Sequence, residues 1–569
     1  MSAFHFIYFL YTYGIALLKS ANSQVGTTMF IKKLGIKIAK SKDKNKTETK
    51  NPRAFNLDAI SKNLTKSYEN AFSSFSFDPK LADAYNHLVK SFFVLGPTKG
   101  KNDEPSLLFA YPSYKFPIEK ISLIQKYCFP LGANVPFKDK DEDLINQFVF
   151  SWMEGSKDLL FGICSHIKLT PEESSFLTDY DKPGVYCICT MTTMPMLAVH
   201  FNYHEFLIDI LKQKVSKFEG YSTILISDDV LTNEFLNYKT ETFEKYRKFP
   251  MLKFDDDPLF VMYNSKEFPV LLRKALNFYL RIKVDNDNPG LYTLTNDCSL
   301  YVSKLNEARI EIARHCFDVL FSCLNEENVV LYYRAIILGQ KILVVSKDIR
   351  KISFCVLAAL PLILPMTYKF QIQPLIPDDE HIMGFLESPT PFIFGAVITP
   401  ILLHQVLEDI IVVKLDENKI DFPINLNLPH LPDGKELRDD LKNMIHNWKA
   451  TPPKESDTVK ANAFWNDRIS NLMPVRLKRQ MKLKYSFTPI DSECILEKFQ
   501  NFTNKFVERK RIEKCRVRDL SNENEIAYAF LKEVYLLDVP DNELDFYNGI
   551  IETQTFACYY QEIFNQNVK

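Results

Sequence analysis

The strongest constraint on the fold is a regular alternation of helices and strands between residues 305 and 400. Apolar residues spaced three and four apart predict a first helix with one buried stripe. Asn325 followed by Glu326 and Glu327 predicts the start of a second helix, because its side chain can accept a backbone N–H and the acids complement the helix dipole. Gly339 predicts where that helix ends.

Strands separate these helices. Residues 342–345 are continuously apolar and largely β-branched, which predicts a strand covered on both faces. Residues 371–376 and 392–397 predict two more strands, with helices starting at Asp348 and at residues 378–379 between them. Connections of this length favour a parallel sheet crossed by helices, and residues 410–415 predict a further strand.

The pattern before this region differs. Residues 148–153 and 159–163 flank a turn and predict an antiparallel hairpin, and residues 107–111 and 185–190 predict further strands. Residues 196–215 predict a helix. Residues 56–95 show helical spacing and predict two or three packing helices, and residues 464–564 are predicted to be mostly helical.

Composition excludes several classes of protein. The chain has 70 Lys+Arg against 71 Asp+Glu, so bulk charge does not favour nucleic-acid binding. It has 16 Gly in 569 residues, few for phosphate-cradling loops, so cofactor enzymes are disfavoured. The 11 Cys include no CxxC pair, which indicates reduced thiols in a cytoplasmic chain.

The first residues leave two interpretations open. Residues 4–18 are apolar and aromatic, too short to span a bilayer and without a basic leader. Met29 offers an alternative start, so this run is either upstream of the true start or a weak signal anchor. A native N-terminal peptide beginning near Met29 would distinguish them.

The segment after Met29 is basic. Residues 32–53 carry nine basic and two acidic residues, and apolar residues at helical spacing lie on another side from Lys33, Lys37 and Lys40. This pattern predicts an amphipathic helix on an anionic membrane, with Lys32, Lys33, Lys37 and Lys40 as the contacts. A solubilising tail is the alternative.

No motif for covalent chemistry or metal binding survives inspection. Residues 96–102 lack the spacing and the Ser/Thr of a P-loop. His200 and His204 lie one helical turn apart, but no third ligand is evident and structural histidines are favoured. Cys187 and Cys189 project to one face of a strand and are interpreted as buried small residues. Basic clusters at residues 476–484 and 509–518 are interpreted as solvated helix faces.

Three stretches in order resemble the DENN-domain family, a tripartite family that activates Rab-type small GTPases. The upstream stretches are residues 127–130 (YCFP) and 148–164 (FVFSWMEGSKDLLFGIC). The central ones are residues 320–329 (LFSCLNEENV), 342–346 (ILVVS) and 387–395 (ESPTPFIFG), and the downstream one is residues 551–556 (IETQTF). The resemblance covers about residues 105–564. It departs at residues 339–341 (GQK), where the family usually has a Glu-Arg-Arg-like stretch.

The resemblance implies an α/β fold of two lobes. The N-terminal lobe is expected to be a longin-like antiparallel module, and the C-terminal lobe a Rossmann-like parallel sheet with a mostly helical downstream segment. The expected segments are a leader with a helical extension (1–100) and upstream, central and downstream DENN modules (101–184, 185–400 and 401–569).

The function implied is guanine-nucleotide exchange on a Rab-type GTPase in vesicle trafficking, without covalent chemistry, cofactor or metal. A non-catalytic GTPase-binding or membrane-trafficking adaptor is the alternative, because fold does not decide function. A lipid-surface protein acting through residues 30–50 is a third. The candidate GTPase-facing residues are Asp378, Asp379, Glu380, Pro389, Thr390 and Pro391. A helix cap and a turn are their alternative roles. The expected location is cytoplasmic, peripheral on membranes.

Overall fold

The structure is a computed structural model of the 569-residue chain. It describes residues 87–99, 105–111, 118–132, 144–154, 158–212, 223–225, 269–280, 282, 284, 290–295, 298–302, 308–403, 407–450, 492–519 and 527–566. All of them belong to one compact unit, Asn86–Lys569. The basic leader and the apolar run before it lie outside the described residues.

An antiparallel sheet of five strands forms the first part of this unit. The strands are β1 (Ser91–Gly96), β2 (Ser106–Tyr111), β3 (Leu144–Glu154), β4 (Asp158–Leu169) and β5 (Gly184–Thr192), in the order β2-β1-β5-β4-β3. Strands β3 and β4 pair antiparallel with Phe148 opposite Cys164, which confirms the predicted hairpin. The strand predicted at residues 185–190 is confirmed as β5.

Helices accompany this sheet. They are α1 (Ile118–Cys128), α2 (Pro171–Ser174) and α3 (Leu197–Leu211), and α3 confirms the helix predicted from residue 196. The prediction of helical structure through residue 95 is wrong at its end, because Ser91–Gly96 is strand β1. Its side chains point alternately to the two faces of the sheet, and nearly all of them are buried because both faces are covered. In such a short apolar run the spacing of apolar residues does not distinguish a strand from a helix.

A small sheet and a helix follow. Strands β6 (Thr223–Leu225), β7 (Gly290–Thr295) and β8 (Cys298–Val302) form a sheet in the order β6-β8-β7, and α4 (Val270–Leu280) precedes β7. Buried residues of α4, including Ala275 and Tyr279, pack in one apolar cluster with Tyr203 of α3. Helix α4 therefore packs against α3, beside the first sheet. Neither α4 nor the small sheet was predicted from the sequence.

The second large sheet confirms the predicted alternation. Its order of elements is α5 (Ala308–Cys323), α6 (Glu326–Ile337), β9 (Lys341–Ser346), α7 (Ile349–Leu362), β10 (Gln371–Gln373), α8 (Glu380–Met383), β11 (Phe392–Val397), α9 (Pro400–Leu403), β12 (Ile411–Lys414) and β13 (Lys419–Asp421). Its strand order is β10-β11-β9-β12-β13. The first three pairings are parallel, and β12 pairs antiparallel with β13.

Local chemistry explains the boundaries of these elements. The Asn325 side chain accepts the Asn328 N–H at 2.9 Å and starts α6 as predicted. Gly339 has φ of 60°, and the Gln340 N–H reaches back to the Ala335 carbonyl, so a left-handed residue ends this helix. Asn418 has φ of 48° at the turn between β12 and β13.

The downstream part is mostly helical, as predicted. It contains α10 (Gly434–Ala450), α11 (Ser492–Phe506), α12 (Arg509–Lys514), α13 (Lys532–Leu536), α14 (Leu544–Ile551) and α15 (Gln554–Gln566), with a two-stranded ribbon of β14 (Arg516–Asp519) and β15 (Ala527–Phe530). Its apolar residues share one core with α5, α6 and α7. This segment is therefore part of the same packed body as the second sheet.

The two large sheets meet edge to edge. The Ser151 N–H on β3 donates to the Gln373 Oε1 on β10 at 2.6 Å, and the Gln373 amide donates to the Tyr127 hydroxyl at 3.1 Å. A shared apolar cluster lies beneath this junction and includes Phe148 with Ile352 of α7. The architecture is mixed α/β, as expected. The longin-like and Rossmann-like assignments and the four segment boundaries remain predictions.

Within the described ranges, no helix is both long enough and apolar enough to cross a bilayer.

Candidate protein-binding surface

The parallel strands of the second sheet end together at one edge. Strands β9, β11 and β12 run in the same direction, so the segments after them, which begin near Ser346, Ile398 and Leu415, come together at the carboxyl edge of the sheet. The Ile398 N–H donates to the Ser346 carbonyl at 3.2 Å, which joins two of these segments directly. In α/β proteins this edge is the usual location of a binding site.

Asp378 and Asp379 lie at this edge, and both are engaged within the chain. The Asp378 carboxylate accepts the Thr399 hydroxyl at 2.7 Å, and the Asp378 N–H donates to the Pro130 carbonyl at 2.8 Å. The Asp379 carboxylate accepts the Lys126 ammonium at 2.6 Å and the Ile382 N–H at 3.3 Å. Asp379 therefore starts α8 and also fastens this segment to the end of α1.

Glu380 is the first residue of α8, next to these two acids. The cap role considered for the acids is therefore present at Asp379. Because the Lys126 side chain is 42% exposed and the Asp379 side chain 21%, their ion pair is partly open to solvent at the edge. Contact of any of these residues with a GTPase remains a prediction.

Asp416 organises the other end of the edge. Its carboxylate accepts the Ser346 hydroxyl and the Lys347 N–H, each at 2.9 Å, and the Lys351 ammonium lies 3.6 Å away. Partial burial acts to raise the pKa of Asp416, but these hydrogen bonds and the Lys351 charge outweigh it, so the net pKa lies below its ordinary value. A stably charged carboxylate thus ties the loop after β9 to the turn after β12.

Basic and apolar side chains are exposed at this edge, beside Asp416 and Glu417 of the turn after β12. Ile398 is one of the exposed large apolar residues. Lys347 is exposed on the loop after β9, and Arg350 is exposed in the first turn of α7. We call Lys126, Lys347, Arg350, Lys351 and Ile398 the edge patch. Three of its four cations are paired with acids of the same edge, Lys126 with Asp379, Arg350 with Asp348 and Lys351 with Asp416. The patch therefore presents an apolar side chain with charged side chains around it.

Pro389, Thr390 and Pro391 lie at the opposite edge of the sheet. They precede β11, whereas Thr399, the partner of Asp378, follows it. Strand β11 has 6 residues, so at roughly 3.3 Å per residue the two groups are about 20 Å apart. The Thr390 and Ser388 hydroxyls are hydrogen-bonded at 2.8 Å, which is the turn role considered for them. The six candidate residues therefore do not form one cluster.

The opposite edge has a shallow cleft where the central and downstream segments meet. Pro391, Gly339, Gln340, Gly549 and Thr553 line it, and its volume is about 210 Å³. A Cβ on Gly339 would lie 3.2 Å from the Phe370 ring and 3.3 Å from the Thr553 methyl, so a larger residue has little room here. Residues 339–341, where the chain departs from the family pattern, thus lie next to residues 551–556 (IETQTF).

The histidines that were tested as a metal pair are structural. The His204 ring bonds the hydroxyls of Ser165 at 2.9 Å and Thr190 at 2.7 Å, and the His200 ring bonds that of Tyr279 at 2.5 Å. Burial lowers the pKa of His200 to about 4 and of His204 to about 3, so both are neutral near pH 7. They hold α3 against the first sheet and α4.

The basic clusters separate into two cases. Residues 476–484 and the membrane candidates Lys32, Lys33, Lys37 and Lys40 lie outside the described residues. In the second cluster, the Arg511 guanidinium lies 4.5 Å from the Tyr535 ring and donates to the Tyr535 carbonyl, and the Arg516 guanidinium lies 3.5 Å from the Tyr528 ring. These two arginines pack on aromatic rings rather than forming a solvated face.

Sequence reasoning missed the edge patch. A usable signal was present, because the residues that follow each predicted parallel strand share one edge of the sheet. Applying that rule to the strands predicted at residues 342–345 and 392–397 points to Lys347 and Ile398. Lys126 could not be found this way, since its partner Asp379 is 253 residues away.

Comparison with known proteins places this sheet in a family. Residues 291–418 match the model of the DENN (AEX-3) domain, from β7 to the turn before β13. This span contains the strands and loops that form the carboxyl edge, apart from the part contributed by α1. The chain is a DENN-domain protein.

Three relatives illustrate the similarity. The chain is 33% identical over 118 residues to the MAP kinase-activating death domain protein of Caenorhabditis elegans, covering 20% of this chain and 8% of that protein. It is 21% identical over 349 residues to human DENN domain-containing protein 1B, covering 61% and 38%. It is 18% identical over 336 residues to mouse DENN domain-containing protein 1C, covering 59% and 36%. The matches thus span well under half of each relative.

Proposed function

We propose that this chain is a guanine-nucleotide exchange factor for a Rab-type small GTPase in vesicle trafficking. The observation that carries the proposal is the position of the edge patch, which apart from Lys126 lies within the DENN-matched segment: Ile398 is exposed among charged side chains where the parallel strands end. Such an apolar centre with a charged rim is the composition of a protein-binding surface. Acting as an exchange factor requires no bond to be made or broken in the chain itself.

The mechanism is differential binding. A GTPase holds GDP through Mg²⁺ and ordered switch loops. A protein that binds the nucleotide-free GTPase with open switches more tightly than the GDP-bound form lowers GDP affinity by the same factor, because the coupling between the two sites is reciprocal. The chain therefore needs a rigid, shaped surface. The hydrogen bonds of Asp378 to Thr399 and of Asp416 to Ser346 give the carboxyl edge that rigidity.

In this proposal Asp378 and Asp379 hold the binding surface in place and do not contact the GTPase switches themselves. Asp378 and Asp379 fasten Thr399 and Lys126, and Glu380 stands beside them at the start of α8. We place the GTPase on the carboxyl edge, with the first sheet reached through Lys126. Pro389, Thr390 and Pro391 contact the same partner only if the interface also covers the opposite edge, about 20 Å away by strand length.

The nucleotide dependence of binding tests the proposal. A panel of Rab-type GTPases is immobilised, nucleotide-free or loaded with GDP, and the affinity of the chain for each form is measured. We expect at least about a 100-fold tighter complex with one nucleotide-free GTPase, the upper part of the usual range of coupling. Equal affinity for the two forms would instead establish the non-catalytic adaptor.

A membrane contact accompanies the proposed function. The nine basic residues within residues 32–53 can bind an anionic membrane surface, and Lys32, Lys33, Lys37 and Lys40 are the proposed contacts. The chain would then act in the cytoplasm as a peripheral membrane protein. We expect the full chain to sediment with vesicles containing phosphatidylserine, and a variant lacking residues 1–53 to stay in the supernatant. Undiminished sedimentation of the shortened chain would eliminate this segment as the contact.

A further inference from the structure

Four cysteines from three separate elements converge in the core of the first sheet. Cys164 lies on β4, Cys187 and Cys189 lie on β5, and Cys128 is the last residue of α1. Cys164 is the register partner of Cys189, and Cys187 lies two residues away on the same face. All four are fully buried. The sequence offered Cys187 and Cys189 no partner, but the fold supplies two.

The sulfur atoms are spaced for a metal ion. The Sγ atoms of Cys128, Cys164 and Cys187 lie within 4.8 Å of one another, and those of Cys128 and Cys164 are 4.0 Å apart. The Cys189 thiol contacts both Cys128 and Cys164. A tetrahedral zinc site with Zn–S bonds of about 2.3 Å has sulfur atoms about 3.8 Å apart. A contraction of less than about 1 Å would therefore bring the sulfur atoms of Cys128, Cys164 and Cys187 to that spacing. The Cys189 thiol, beside Cys128 and Cys164, would have to move toward Cys187 to complete a four-sulfur site.

A neighbouring side chain, His166, has a buried nitrogen without a hydrogen-bond partner. His166 lies on β4 two residues after Cys164 and is the register partner of Cys187. Its Nε2 bonds the Cys128 carbonyl at 2.6 Å, whereas its buried Nδ1 has no hydrogen-bond partner. An unsatisfied buried nitrogen is costly for a neutral ring. This unpaired nitrogen beside the cluster is a second sign that a polar group belongs in this part of the core.

We propose that Cys128, Cys164, Cys187 and Cys189 form a structural site for one Zn²⁺ ion. Soft thiolates select zinc or copper(I), and a closed set of four cysteines leaves no position for substrate, so the role is structural. Four thiols lose their protons as the ion binds, leaving a tetrathiolate complex of net charge −2. Because the thiols must lose their protons, zinc binding is expected to strengthen with rising pH.

The site would fix the junction of the two large sheets. Cys128 ends the helix whose last residues include Lys126 and Tyr127, the partners of Asp379 and Gln373. Two residues after Cys128, the Pro130 carbonyl accepts the Asp378 N–H. A zinc ion that holds Cys128 against β4 and β5 would therefore hold one side of the carboxyl edge in place.

The unmodified full chain provides the first test. Purified without metal-affinity resin, it is expected to contain about one zinc ion per molecule. When the metal is replaced by Co²⁺, we expect the sulfur-to-cobalt charge-transfer absorption and the visible bands of a tetrahedral thiolate site. A chain that carries no zinc, and that gives no thiolate absorption with Co²⁺, contradicts the proposal whatever the behaviour of any variant.

A matched pair of variants locates the ion. The chain with Cys164→Ala and Cys187→Ala is expected to lose at least about nine-tenths of its zinc, since two of the four ligands are removed. The control carries Cys316→Ala and Cys355→Ala, two buried cysteines of the other core. The control is expected to keep its zinc and its cobalt spectrum. Equal zinc in both variants, or equal loss from both while circular dichroism shows them folded, would overturn the assignment.

Discussion

Replacing Ile398 with aspartate is expected to weaken binding to the nucleotide-free GTPase by at least about 30-fold. Ile398 is 36% exposed and is the apolar member of the edge patch, so its side chain can contact a partner. The aspartate would remove the apolar contact and place a charge in the interface, which is expected to cost about 2 kcal/mol or more, the scale of an interface hot spot. Titration calorimetry with the responsive GTPase measures the change.

The fold offers a matched control for this variant. Ile424 is fully exposed and follows β13, whose antiparallel course carries the chain away from the carboxyl edge. The same change, Ile424→Asp, is expected to alter affinity by less than about twofold, because surface positions outside an interface contribute little. Both variants should unfold at the temperature of the unmodified chain. Equal affinities for the two variants would remove the edge patch from the interface.

The largest effect on stability is expected from Phe556→Ala. Phe556 is 0% exposed, and its ring packs 5.4 Å from that of Phe530 and 5.5 Å from that of Tyr535. Removing a fully buried ring leaves a cavity, so the free energy of unfolding should fall by about 3–5 kcal/mol. Denaturant unfolding measured by fluorescence and circular dichroism gives the value.

Its control lies two residues earlier on the same helix. Gln554 is exposed at the start of α15, so Gln554→Ala is expected to change the free energy of unfolding by less than about 0.5 kcal/mol. The contrast tests whether the IETQTF stretch acts as packing between the downstream helices and the core. A loss below about 1 kcal/mol for Phe556→Ala would show that α15 is not part of the same cooperative unit.

The sequence predicted the second sheet well because its signals are local. A strand covered on both faces must be continuously apolar, and residues 342–345 show this pattern over a length typical of a strand. Asn325 and Gly339 mark the two ends of α6 through side-chain capping and a positive φ, which depend only on neighbouring residues. Three such units in succession leave few topologies other than a parallel sheet.

The first strand was harder to predict. Residues 88–95 have the apolar content of either a buried helix or a buried strand, and only pairing with β2 and β5 decides between them. Partners that are distant in sequence are invisible to pattern analysis.

The candidate site was predicted only in part for the same reason. Asp378 and Asp379 were predicted as acids that could pull on the switch region of a GTPase, but their partners Thr399 and Lys126 are set by the tertiary fold. Pro389, Thr390 and Pro391 were predicted as a stiff edge at the start of a strand. The fold places that start at the edge of the sheet opposite to Asp378 and Asp379. Likewise, Cys187 gains Cys128 and Cys164 as neighbours only once α1 packs on β4 and β5.

The release of GDP tests the central claim most directly. A Rab-type GTPase loaded with a fluorescent GDP is mixed with excess unlabelled GTP, with and without the full chain, and the fluorescence decay is timed. For one member of the panel we expect the rate constant of GDP release to rise with the concentration of the chain. At saturation it is expected to be at least about 100-fold higher than without the chain. A stable complex with that GTPase and an unchanged release rate would contradict the account.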